Sequence, residues 1–196
     1  MIYYNNYYNN LDNMLIKNKS GGNFMPFSLI PKRLYEKYDN LTPEILNNMN
    51  IKLLLSDLDF TLAPKKIRRP DEKLKAWIAD LKRHNIIFMI VSNNRSGKRV
   101  REFCAELGID YQGHANKPST KGLKKAMSRA GIDAKHTAML GDKLLTDVLA
   151  ANRAGVLSLM VEPAGGAVTL WQKILHALQE PFKSICRKRM LKRLLK

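Results

Sequence analysis

The sequence predicts an α/β fold, a Rossmann-like doubly wound parallel sheet of about five strands. Three observations carry this expectation. Short continuous apolar runs recur along the chain, segments with helical apolar spacing lie between them, and the acidic, hydroxyl and lysine side chains suited to chemistry stand where the apolar runs end. Runs of this length suit strands buried on both faces. Their alternation with helices builds right-handed crossovers, and such sheets bind ligands beyond the carboxyl ends of their strands.

Residues 1–24 repeat Tyr and Asn without a periodic apolar face, so a flexible tail is expected there. The folded domain is expected over 25–168. Thr42, Pro43 and Glu44 open a first helix, with proline at a first helical position and an acid in the first turn. Strands are expected at 51–57, 86–92, 110–115, 137–140 and 157–161. Between them, Leu74, Trp77, Ile78 and Leu81 form one helical stripe. Val100, Phe103, Cys104 and Leu107 form a second, and Leu123, Ala126, Met127 and Ala130 a third. Pro70 and Asp71 open the first of these helices, and Gly108 and Gly131 close the other two. Cys104, on such a stripe, reads as core rather than nucleophile.

With 34 Lys and Arg against 17 Asp and Glu, the 196-residue chain carries a charge of +17. That balance favours anionic partners: nucleic acid, an anionic lipid surface or a phosphorylated substrate. An apolar fraction of 45% excludes a wholly disordered chain. The two cysteines make no C-x-x-C pair, which excludes a disulfide framework and predicts reduced thiols. The apolar run at 86–91 falls far short of the ~20 residues of a spanning helix. No Lys or Arg precedes Lys17 and no long apolar stretch is present there, so no secretory or import peptide is expected. A cytoplasmic location follows as the expectation.

Asp57 and Asp59 stand two residues apart just past the first strand. Like charges held together are costly unless a cation lies between them, and Mg²⁺ is the natural oxygen-bound candidate. The second strand ends at Ser92, followed by Asn93, where a hydroxyl and backbone N–H groups suit a phosphate oxygen. Lys117 follows the third strand and offers a charge to a phosphoryl group or a nucleophile. The fourth strand runs into Asp142, a further metal ligand, and Asp147, suited to orienting Lys117 or supporting the metal from behind. Each piece alone is commonplace: a helix cap, a solvated lysine, a turn. Their joint order at successive strand ends is what points to a site.

DLDFTL, VSNN, NKPS and GDKLLTD together resemble the four motifs of the haloacid-dehalogenase-like phosphatases, and the stretches around them resemble the subclass IIIA, YqeG-like branch, related to phosphatidylglycerophosphatases. The resemblance spans about residues 26–165. It implies a Mg²⁺-dependent phosphoric monoester hydrolase on a haloacid-dehalogenase-like fold. Asp57 would be the nucleophile that forms an aspartyl-phosphate, and Asp59 the general acid and base. Thr61, Ser92, Asn93 and Lys117 would bind the phosphate, Asp57, Asp59 (through its carbonyl) and Asp142 the metal, with Asp147 behind them. Two positions depart from the pattern. Phe60 stands where Asn or Gly is usual, and Lys143 where Gln is usual.

Neither interval between motifs leaves room for a cap domain, so the site is expected to be open and suited to a large or membrane-held substrate. Lys65, Lys66, Arg68 and Arg69 follow the first motif closely. The region 169–196 reads as a basic amphipathic helix. Trp171, Ile174, Leu175 and Leu178 form a stripe, then Phe182, Ile185, Met190, Leu191, Leu194 and Leu195 follow among seven cations, with no acid after Glu180. Such a segment (181–196) suits an anionic membrane surface, on its inner face, and a lipid phosphate such as phosphatidylglycerophosphate. The rival expectation is RNA or ribosome association through the same cations, or a soluble or macromolecular phosphoester as substrate.

Overall fold

The computed structural model describes residues 28–94, 97–165 and 170–194. The expected tail at 1–24 and residues Leu195 and Lys196 lie outside them. The strands are β1 (Arg33–Tyr35), β2 (Leu53–Ser56), β3 (Ile87–Val91), β4 (Asp110–Gln112), β5 (Thr137–Gly141) and β6 (Leu157–Val161). The α-helices are α1 (Pro43–Asn48), α2 (Glu72–Arg83), α3 (Lys98–Leu107), α4 (Lys121–Ala130), α5 (Leu149–Ala154) and α6 (Leu170–Leu194).

All pairings are parallel, in the order β1-β6-β5-β2-β3-β4. The chain builds outward from β2 through β3 to β4, then returns to pair β5 on the other side of β2. The order therefore reverses between β2 and β5, and a crevice opens beyond their carboxyl ends.

Period-two alternation sorts the side chains onto two faces. Leu54, Phe88, Ile90, Ala138, Leu140, Leu159 and Val161 pack with α2 and α3 through Leu74, Trp77, Ile78, Leu81, Val100, Phe103 and Cys104. Leu53, Leu55, Met89, Val91 and Met139 pack with α4 and α5 through Leu123, Ala126, Met127, Ala150 and Ala151. All three expected stripes thus face the sheet, with Leu107 and Ala130 at their partly buried ends. Local chemistry starts the helices as expected: Thr42 Oγ1 accepts from Ile45 N and Asp71 Oδ1 from Leu74 N. Trp77 Nε1 donates to Leu41 O at 2.8 Å, which seats α2 on the segment before β2.

The sheet has six strands rather than about five. The additional one, β1, is the three-residue edge Arg33-Leu34-Tyr35, too short and too mixed to show as an apolar run. It is held by its pairing to β6 and by Asn152, whose Nδ2 donates to Ser28 O and Ile30 O while its Oδ1 accepts from Ser158 Oγ. The expected strand at 110–115 shortens to β4, because His114 and Asn116 take φ values of +49° and +51°, which break the extended chain before Lys117.

Pro181 does not interrupt α6, which continues through it. The inner side of this helix is docked: Cys186 and Met190 pack with Leu34, Met160, Leu144 and Val148, and Phe182 lies against them. Lys183 is buried beside them and its Nζ donates to Glu162 Oε2 at 2.6 Å. No described helix is long and apolar enough to cross a membrane.

Candidate active site

β2 delivers the first motif. Asp57 N donates to Leu140 O at 2.9 Å, so the ladder to β5 continues one residue past the strand and fixes the Asp57 backbone. The chain then turns sharply. Phe60 N donates to Ala63 O, Leu62 N to Leu58 O, and Phe60 itself takes a φ of +68°. That left-handed conformation explains why Asn or Gly suits this position, since a larger side chain there costs about 1–2 kcal/mol. Here Phe60 has two compensating contacts. Its carbonyl accepts from Ala164 N at 2.7 Å, and Lys143 Nζ stands 5.6 Å over its ring. The two departures from the family pattern, Phe60 and Lys143, are thus one contact.

At the floor, Lys117 is almost entirely buried, its side chain only 1% exposed. Its Nζ donates to Asp57 Oδ1 at 2.9 Å and Val91 O at 2.7 Å, and ion-pairs with Asp147 Oδ1 at 2.7 Å. Two acceptors thus hold the ammonium by hydrogen bonds, and the Asp147 carboxylate adds an opposite charge beside it. Burial would lower its pKa, but Asp147 and Asp57 more than offset this and hold the ammonium charged.

β5 delivers the fourth motif. Past Gly141 and Asp142 the chain makes a π-helical turn, Leu144–Val148, before α5. The wider turn brings Asp147 back over the strand end, where its Oδ2 accepts from Lys143 N at 3.1 Å. Carboxylate oxygens of Asp57, Asp142 and Asp147 lie within 4.8 Å of one another, all buried. Burial, opposed by Lys143, pushes the Asp142 carboxyl up; burial, opposed by Lys117, does the same to Asp147. Among the described residues Lys117 and Lys143 stand beside these three buried carboxylates; two cations for three anions leave room for a further one, and a set of hard oxygen donors suits a divalent ion. Asp147, expected to orient Lys117 or to support a metal from behind, ion-pairs with Lys117 and also shares the acidic cluster.

The other expected residues divide. Thr61 Oγ1 donates to Asp142 Oδ1 at 3.2 Å, which ties the first motif to the fourth. Ser92 Oγ accepts from Asn94 N at 3.1 Å, capping the turn after β3. Asn93 directs its amide to the backbone of Lys117: Nδ2 donates to Lys117 O and Oδ1 accepts from Lys117 N, at 2.9 and 2.8 Å. It positions the lysine. The Asp59 carboxylate is outside the acidic cluster and is bonded to Arg99 from the first turn of α3. Burial raises the Asp59 carboxyl against the opposing pull of Arg99. No motif drew attention to Arg99, since it stands in the first turn of α3, outside the four motifs.

Residues 114–167 match the family model described as HAD-hydrolase-like. The chain is 33% identical over 138 residues to the protein named "Probable phosphatase YqeG" of Bacillus subtilis (strain 168), spanning 70% of this chain and 80% of that one. The chain belongs to the haloacid-dehalogenase-like phosphatase family. A chloroplastic phosphatidylglycerophosphate phosphatase 1 of Chlamydomonas reinhardtii is 36% identical over 67 residues, 34% of this chain and 25% of that protein. Among solved structures, the cobalt-bound deoxy-D-mannose-octulosonate 8-phosphate phosphatase of Haemophilus influenzae shares the fold, with a TM-score of 0.50 at 19% identity over 67% of this chain and 89% of that one. For a haloacid-dehalogenase-like phosphatase the absence of a cap is visible in the topology: β2 and β3 are joined through α2, and β3 and β4 through α3, with no inserted domain among the described residues.

Proposed function

We propose that this phosphatase hydrolyses a lipid phosphate monoester, such as phosphatidylglycerophosphate, through an aspartyl-phosphate on Asp57, with Mg²⁺, while bound peripherally to the inner face of an anionic membrane. The observation that carries the chemistry is the buried Asp57–Lys117–Asp147 arrangement facing Asp142. Asp57 attacks phosphorus, the bond to the alcohol oxygen breaks, and Asp59 gives that oxygen a proton. Asp59 then takes a proton from water, the water oxygen attacks the aspartyl-phosphate, and phosphate leaves as Asp57 is regenerated. Lys117 holds Asp57 in place and neutralises charge that develops on the transferring group. Asp57, Asp142 and Asp147, with the Asp59 carbonyl, would hold the Mg²⁺, which supplies further charge neutralisation at the phosphoryl oxygens.

Three observations support a membrane-held substrate. The mouth is capless, and the exposed loop 65–69 sets Ile67, 45% exposed, among Lys65, Lys66, Arg68 and Arg69. The side of α6 away from the sheet exposes Ile174, Leu178 and Ile185 at 43%, 64% and 40%, followed by the exposed Lys188, Arg189 and Lys192. The chloroplastic relative acts, by its name, on phosphatidylglycerophosphate. The test is phosphate release from phosphatidylglycerophosphate in anionic vesicles, beside soluble phosphate esters and 5′-phosphorylated RNA. Preference for the lipid supports this reading. Equal or better turnover of a soluble ester or of RNA refutes it.

A further inference from the structure

Arg99 is mostly buried, with 11% of its side chain exposed. Its Nη1 donates to Asp59 Oδ1. Its Nε and Nη2 both donate to Ile67 O, at 3.0 and 2.7 Å, and Nη2 reaches Pro64 O at 3.3 Å. The guanidinium carbon lies 5.7 Å over the Phe103 ring, which fixes its plane. One side chain therefore ties the carboxylate of Asp59 to the carbonyls of the loop that follows it, and to the start of α3. A planar fork with five donors can span these acceptors; a lysine ammonium cannot.

We propose that Arg99 is the positioning residue of the acid–base Asp59. Its grip on Oδ1 orients the carboxyl group so that the other oxygen, Oδ2, exchanges the proton, first with the leaving alcohol and then with the attacking water. The inference rests on the acid–base role given to Asp59 in the proposed function.

Leaving groups separate this role from a merely structural one. A p-nitrophenolate departs without a proton, whereas an alkoxide needs one. The ratio of kcat/KM for p-nitrophenyl phosphate to that for an alkyl phosphate such as glycerol 3-phosphate is measured on one preparation, so the fraction of folded protein cancels. In Arg99→Gln the alkyl ester is expected to lose about a hundredfold and the nitrophenyl ester less than about tenfold. Arg99→Lys is expected to fall between these and wild type. Asp59→Asn should change the ratio in the same direction, and the Asp59→Asn/Arg99→Gln double variant should be no worse than Asp59→Asn alone, since a residue that acts through another adds nothing once that other is gone. Equal loss on both esters in Arg99→Gln, or a double variant that falls by the full product of the single losses, overturns the role of Arg99. An unchanged ratio in Asp59→Asn overturns instead the acid–base assignment on which it rests.

Discussion

A methyl group on Gly141 would lie 2.3 Å from Cβ of Asp147 and 2.4 Å from its Cγ. Asp147 lies over the end of β5 so closely that only a glycine fits beneath it. Gly141→Ala must push Asp147 away from Lys117 and Asp142. Displacing a buried group at a reaction centre by about 1 Å costs on the order of a hundredfold in rate. Gly141→Ala is therefore expected to lower kcat by about that factor while circular dichroism stays native. A variant within a few-fold of wild type would show that Asp147 need not hold its place.

Asp57→Asn keeps the shape of the side chain but cannot form an acyl-phosphate. Turnover should fall to background with the fold retained. Phosphate release within about tenfold of wild type would remove Asp57 as nucleophile.

How much of this was legible in the sequence depends on how each contact is made. The strands β2, β3, β5 and β6 and the stripes of α2, α3 and α4 are written in apolar spacing, because burial on both faces or one face leaves a direct pattern. Asp57, Lys117, Asp142 and Asp147 were legible because the fold places strand ends together, so order along the chain predicts proximity. What escaped depends on side-chain direction. Asn93 and Thr61 stand at the expected places, yet one bonds the Lys117 backbone and the other Asp142. Arg99 lies 40 residues from Asp59 in the chain, and nothing in its neighbours announces the pairing. β1 was hidden because an edge strand of three residues needs no apolar run.

Lys143 Nζ donates to Asp142 Oδ1 at 2.8 Å. A divalent ion must share Asp142 with this ammonium or move it. Lys143→Gln is expected to tighten Mg²⁺ binding about tenfold, ~1.4 kcal/mol, by calorimetry. Chelation of wild type with EDTA should abolish activity and Mg²⁺ should restore it. Unchanged affinity in Lys143→Gln would mean that the lysine does not compete.

Burial, with Asp110 nearby, pushes the Cys104 thiol up to about 12 from 9.0. The folded protein keeps a proton that the unfolded chain releases, so its binding of protons exceeds that of the unfolded state above about 9 and stability falls as pH rises from there. Cys104→Ala loses that pH dependence along with some packing. In native protein at pH 8, iodoacetamide should leave Cys104 unmodified by mass spectrometry while denatured protein reacts at once. Rapid native alkylation would contradict its burial.

From the sequence, residues 181–196 read as a basic amphipathic segment suited to an anionic membrane surface. The fold makes half of that helix core. Truncation after Glu180 removes Cys186 and Met190 from the cluster with Leu34, Leu144, Val148 and Met160, and takes Lys183 from Glu162. Leu144 and Val148 bound the π-turn that carries Asp147, so the loss reaches the acidic cluster. Emptying two such core positions costs at least ~3 kcal/mol. The truncated protein should therefore melt earlier and turn over even soluble esters poorly, and it cannot isolate a membrane role. Surface substitution can. Lys188, Arg189 and Lys192 are exposed, and changing all three to Glu leaves the docked side of α6 intact. At roughly 1 kcal/mol per cation, this removes about 3 kcal/mol of attraction to an anionic surface, more than a hundredfold in binding. Vesicle co-sedimentation and lipid turnover should fall accordingly, while hydrolysis of p-nitrophenyl phosphate stays near wild type. High salt should reproduce part of the loss, because the charge attraction is screened and the apolar contact of Ile174, Leu178 and Ile185 is not. Wild-type vesicle binding in the triple variant would refute a membrane role for this helix, and loss of RNA binding in its place would assign the same cations to nucleic acid.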